Sequence, residues 1–161
     1  MEETTFETAV ETATNQTAIF VTLKAAVTGV CSGFTIAFGW LGWLVIAWIV
    51  CMVLDYITGS CAAMKEGEWS SASAREGIFH KAGMMVVVII AAIADGVLSM
   101  VVLNLPSLEI AYTNALLPVV LVWYIFTELG SIAENATAMG AAVPSFLSKV
   151  LAAGQQMVEE E

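Results

Sequence analysis

The chain has 161 residues, of which 59% are hydrophobic and only 12% charged, with a mean hydropathy of +0.85. Soluble domains carry about 45–50% apolar and about 25% charged residues, so these proportions exclude an ordinary soluble enzyme and point to a chain whose solvent is lipid. Fifteen acids against five bases and one histidine give a formal charge of −10. That excludes nucleic-acid binding, which needs a basic stripe, and docking on anionic headgroups, which needs clustered Lys and Arg.

Residues 1–17 are polar and carry four Glu and no base, the opposite of a signal peptide's basic leading region. Glu3, Glu7 and Glu11 repeat at i, i+4, where like charges oppose a helix. The segment is expected to be a solvated tail that the chain keeps.

A helix needs about 20 mostly apolar residues to cross a bilayer. Residues 18–39 are long enough but hold Lys24 and several Thr and Ser, so this first segment either spans or lies only partly in the membrane. Gly39-Trp40-Leu41-Gly42-Trp43 then suits a tight turn with aromatics at the interface. Residues 41–63, 82–103 and 115–133 are clear spans with one acid each, namely Asp55, Asp95 and Glu128. Pro118 falls in the first turn of the last one, where proline is tolerated. With four spans and the N-terminus inside, Lys24, Lys65, Arg75, Lys81 and Lys149 all fall on the inner side, as the excess of positive charge on the cytoplasmic side requires. This places the C-terminus in the cytoplasm.

The loop 65–81 balances three bases against three acids, and Ser73 is placed to cap a short helix leading into the next span. After Pro144, residues 145–157 read as an amphipathic helix with Phe146, Leu147, Val150 and Leu151 on one side. An acidic tail, 152–161, ends the chain. The expected organisation is therefore an N-terminal tail 1–17, a membrane domain 18–151 and that C-terminal tail. Cys31, Cys51 and Cys61 stand in apolar stretches without a C-x-x-C pair and read as small hydrophobes rather than as a disulfide or metal set. There is no nucleophile elbow, phosphate loop or H-E-x-x-H, so no catalytic residue, metal ligand or cofactor is assigned.

An ionisable residue within a bilayer is expensive and marks a functional position. At about 1.5 Å per residue, Asp55 and Glu128 lie at similar depth, roughly 20 Å from the outer ends of their helices, and Asp95 lies nearer the outer side. With all five bases counted at the inner face, none is left to pair with them at depth. Three readings stay open: hydrogen bonds to a neighbouring helix, a water-lined path between subunits, or a coupled proton site. Glu128, Ser131 and Asn135 stack on one side of the last span, with Glu134 adjacent. Ala25, Gly29, Gly33 and Ala37 recur every fourth residue, and Gly59 and Ala63 repeat the pattern, as in rows that let helix backbones approach closely.

Asp55-Tyr56-Ile57-Thr58-Gly59 closes a span; Arg75-Glu76-Gly77-Ile78 and Lys81 follow a Ser-rich loop; then come Tyr124, Glu128, Ser131, Glu134-Asn135, Gly140, Pro144 and Phe146-Leu147. In this order and spacing, over residues 44–151, the chain resembles the phage lysis holins, a family that includes clostridial toxin-secretion holins. Asp55, Tyr56, Gly59, Gly77, Lys81, Glu128, Gly140 and Pro144 match its motif. The resemblance implies an all-α integral membrane protein without enzymatic activity that self-associates in the bacterial cytoplasmic membrane. Its lesions would release a cell-wall hydrolase, the endolysin, which need not touch it, or help export a toxin. The chain departs from the family pattern in its acidic C-terminus and its weakly basic inner loop. A small proton-coupled transporter or channel using the membrane carboxylates is the alternative, and a scaffold without transport a third.

Overall fold

A computed structural model describes the backbone of residues 2–105 and 115–159, and side chains from Thr14 onward except at 34, 37, 38 and 159. Five helices make up the described chain: α1 (Glu2–Phe38), α2 (Leu41–Glu66), α3 (Ser71–Asn104), α4 (Leu116–Ala138) and α5 (Ser145–Glu159). The chain divides into two units, residues 1–43 and 44–161.

In the first unit, α1 is one continuous helix of 37 residues. The acidic segment expected as a solvated tail is therefore helical. Extending a formed helix gains one hydrogen bond per residue fixed and needs no new nucleus, and this outweighs the weak i, i+4 repulsion of like charges. Ala25, Gly29 and Gly33 are exposed on α1, and the Ala37 side chain lies outside the described residues. α1 ends at Gly39, whose φ of 59° suits a residue without Cβ and whose N–H donates to Thr35 O at 2.8 Å.

The second unit holds the three helices that are long and apolar enough to cross a membrane, α2, α3 and α4. Each is apolar almost all round, as helices in lipid are. α3 has 34 residues, about 51 Å, well beyond a hydrocarbon core of about 30 Å. Its expected short leading helix is absorbed into it: Ser70, not Ser73, is the N-cap, and its Oγ accepts from Ser73 N at 3.1 Å. α2 stops at Gly67 (φ 75°), where Gly67 N donates to Met64 O and Glu68 N to Ala63 O, a Schellman ending.

α2 and α4 run the same way and α3 runs against both. Met84, Val88 and Ala91 of α3 are buried, as are Leu117 and Leu121 of α4. From α2, Trp48 stacks on Tyr124 at 6.2 Å, and Trp123 meets Tyr124 edge-on at 5.2 Å. The Trp48 indole N–H is buried without a partner among the described residues. Facing outward, Ile89, Ile90, Ile93 and Val97 of α3 are exposed, the surface expected of a span bathed in lipid.

Candidate functional site: a three-helix ion cluster

Three spans meet at one ammonium. Lys81 Nζ of α3 donates to Asp55 Oδ2 of α2 at 3.0 Å and to Glu128 Oε1 and Oε2 of α4 at 2.8 and 2.6 Å. Its three N–H bonds are thereby matched by three carboxylate oxygens. Only 4% of the Glu128 side chain is exposed, against 16% for Lys81 and 20% for Asp55. One cation thus faces two acids in a poorly solvated setting.

This corrects the expectation that no base reaches the acids. Lys81 was counted among the loop charges, but α3 begins ten residues earlier, and Lys81 lies well within it. The long lysine stem then carries the charge to carboxylates on two neighbours. Asp55 and Glu128 do share a layer, as their depths suggested.

Asn135, about two turns after Glu128 on α4, completes the cluster. Its Nδ2 donates to Asp55 Oδ1 at 3.0 Å and to Thr58 Oγ1 at 3.3 Å. A Cβ on Gly59 would come within 3.4 Å of Asn135 Nδ2, so Gly59 lets α2 and α4 close over this amide. Ser131, half-buried, enters none of these bonds, and Glu134 is exposed on the side of α4 toward α5. Of the expected stripe, Glu128 and Asn135 join the cluster and Ser131 does not, and Glu134, expected beside it, lies toward α5.

A cleft of about 180 Å³ between α2 and α3 leads to Asp55 and Lys81. Tyr56, Gly59, Ser60, Ala63 and Gly77 line it, with Trp69 and Ser70 of the α2–α3 connection. Tyr56, Gly59, Gly77 and Lys81, up to 25 residues apart in the sequence, thus surround one space.

Asp95 does a different job. Its Oδ1 accepts from Leu116 N at 3.1 Å and its Oδ2 from Leu117 N at 2.8 Å. These are the first two residues of α4; the third is Pro118, which has no N–H, and Val119 N already reaches Ala115 O. The open donors of a helix start are thus taken by a carboxylate on another helix. A negative charge there also suits the helix dipole. In lipid, where free backbone groups are costly, this accounts for an acid that is only 5% exposed.

The other end of α4 is closed as completely. Gly140 (φ 95°) donates to Thr137 O, Ala141 N to Ala136 O, and Met139 N to Asn135 O, and Lys65 Nζ takes Ala138 O at 3.0 Å. Gly140, one of the motif residues, is required by that left-handed turn, and Pro144 immediately precedes α5.

The fold and this cluster define an all-α integral membrane protein with a charged joint between its spans. The family model for the bacteriophage holin family matches residues 32–155, and the chain belongs to that family. Its similar relatives include an uncharacterised protein of Clostridium perfringens, 31% identical over 133 residues, covering 83% of this chain and 90% of the relative. Uncharacterised proteins of Listeria innocua and Listeria monocytogenes are 30% and 31% identical over 131 residues, covering 81% of this chain and 85% of each relative. No solved structure matches.

Proposed function

We propose that this chain is a holin of the bacterial cytoplasmic membrane: it self-associates there and opens lesions through which a cell-wall hydrolase or toxin passes. The observation that carries the reading is the charged joint. α2, α3 and α4 meet through Lys81, Asp55, Glu128 and Asn135, in a family whose members are holins. Polar bonds of this kind hold spans together in lipid, where apolar packing between helices competes with equally apolar tails. They can also be exchanged for water. With the cluster closed, the acids are matched inside one chain. When copies crowd, α4 moves from Lys81, and Glu128, Asn135 and Asp55 then line a wet boundary between subunits. Lys65 and Arg75, on either side of the α2–α3 connection, together with Lys149, support an orientation with that connection and the C-terminus in the cytoplasm.

The test is expression in bacteria beside a wall hydrolase that lacks a signal peptide, following turbidity and membrane potential together. Abrupt depolarisation followed by lysis that needs both proteins is the expected result. Steady potential and growth, with the chain confirmed in the membrane, refutes the reading. Depolarisation without release of the hydrolase returns the weight to a small channel or proton-coupled transporter.

A further inference from the structure

The cleft between α2 and α3 is lined unlike the surfaces beside it. Gly59, Ser60 and Ala63 of α2 form one wall and Ser73, Ala74 and Gly77 of α3 the other, so both walls are built from small and hydroxyl-bearing residues. A Cβ on Gly77 would meet nothing within 4 Å, which shows that the walls stand apart there. Immediately beside these positions the character changes. Ile57 and Met64 of α2 and Ile78 and Phe79 of α3 are exposed and lie outside the cleft, as lipid-facing residues of spans do.

The two ends of the cleft also differ. One is the α2–α3 connection, where Trp69 and Ser70 border it and where Glu66 and Glu68 are exposed. Hydrocarbon tolerates neither exposed charges nor non-helical backbone, so this end meets water. At the other end are Asp55 and Lys81. Lys81 follows Ser70 by eleven residues, about 16 Å along α3, and the apolar run of that span begins at the next residue, Ala82. Asp55 and Lys81 both border the cleft and both keep some exposure, whereas Glu128 does not border it and is buried.

Whatever occupies the cleft must therefore face an ion pair. An acyl chain there would meet partly exposed charges, which is costly. Water meets them at no such cost, and ionisable residues of membrane spans characteristically face a bundle interior or a water-filled cavity. A volume of about 180 Å³ has room for about six waters at about 30 Å³ each. Tyr56, Ser60, Ser70 and Ser73 supply hydroxyls along the way, the polar partners that ordered water needs.

We propose that this cleft is a water-filled vestibule, entered at the α2–α3 connection and ending on the Asp55–Lys81 pair. Water then reaches one flank of the charged joint within a single closed chain, while Glu128 on the other flank stays dry. The inference rests on α2 and α3 being spans, not on lesion formation.

The test uses the full chain with Cys31, Cys51 and Cys61 changed to Ala, carrying Ser60→Cys or Gly77→Cys in the cleft. Ile57→Cys, close to the ion pair along α2 but outside the cleft, is the control. In phosphatidylethanolamine–phosphatidylglycerol vesicles with reagent on both faces, modification is followed by mass. One reagent, 2-aminoethyl methanethiosulfonate, acts in water, and the other, N-cyclohexylmaleimide, partitions into lipid. The reactive thiolate is disfavoured in apolar surroundings, so Ser60→Cys and Gly77→Cys should react with the first reagent about tenfold faster than Ile57→Cys. Equally fast reaction at Ile57→Cys puts this whole level in water and overturns the vestibule. Cleft sites that resist the first reagent but react with the second have acyl chains beside them, which overturns it too. Protection from both reagents means that protein, such as a second copy, fills the cleft, and this also overturns the proposal.

Discussion

Replacing Lys81 by Met removes the one cation from the cluster and keeps most of its volume. Asp55 Oδ2 and both Glu128 oxygens then lose their donor, and two acids face each other with Asn135 as the remaining donor to Asp55. Removing one partner of a buried ion pair costs about 3–5 kcal/mol. Asp55 keeps some solvent, which places this case near the lower end, about 3 kcal/mol, or roughly a hundredfold in the folding equilibrium at 1.4 kcal/mol per decade. The triple change Lys81→Met, Asp55→Asn, Glu128→Gln removes every charge and should recover most of that loss, since a buried ion pair adds little over neutral groups of similar shape. Reversible unfolding in mixed micelles, followed by tryptophan fluorescence, measures both. A single variant within about 0.5 kcal/mol of wild type, or a triple variant no better than the single, would refute the claim that Lys81 balances buried carboxylates.

Asp95→Ala should release the Leu116 and Leu117 amides and cost about 1–2 kcal/mol, as loss of an N-cap does; faster hydrogen exchange at those two amides, with less change in Asp95→Asn, is the check. Gly140→Ala forces a side chain into the left-handed region and toward Lys65 Nζ, 3.1 Å from the new Cβ, and should lower stability by about 1–2 kcal/mol, read in the same unfolding assay. Glu128→Gln should shift the time of lysis, whereas Glu128→Leu should abolish lesions without preventing insertion; unchanged timing in both removes Glu128 from the mechanism.

Helix count and span positions were legible because a bilayer imposes length and apolarity on every crossing, and residues 41–63, 82–103 and 115–133 satisfy both. The shared layer of Asp55 and Glu128 followed from rise per residue alone. Lys81 escapes a sequence reading for a physical reason: it follows Arg75, Glu76 and His80 at the edge of the apolar run, so it reads as a loop charge, and only the unbroken start of α3 at Ser71 shows it within a span-forming helix. The partner of Asp95 had no signature to find, since backbone N–H groups look alike in every sequence, although Pro118 in the first turn of α4 was a hint that this end had fewer donors to satisfy. α5 was legible as a helix after Pro144, but the face expected of Phe146, Leu147, Val150 and Leu151 divides, with Leu151 buried and Phe146 and Val150 exposed.

α4 contains no Lys or Arg. Three charged side chains of its neighbours hold it: the Asp95 carboxylate at its beginning, the Lys81 ammonium at its middle and the Lys65 ammonium at its end. Sliding α4 by one turn along its neighbours would miss all three at once. What the sequence specifies around α4 is therefore a set of axial intervals, which fixes its register against its neighbours.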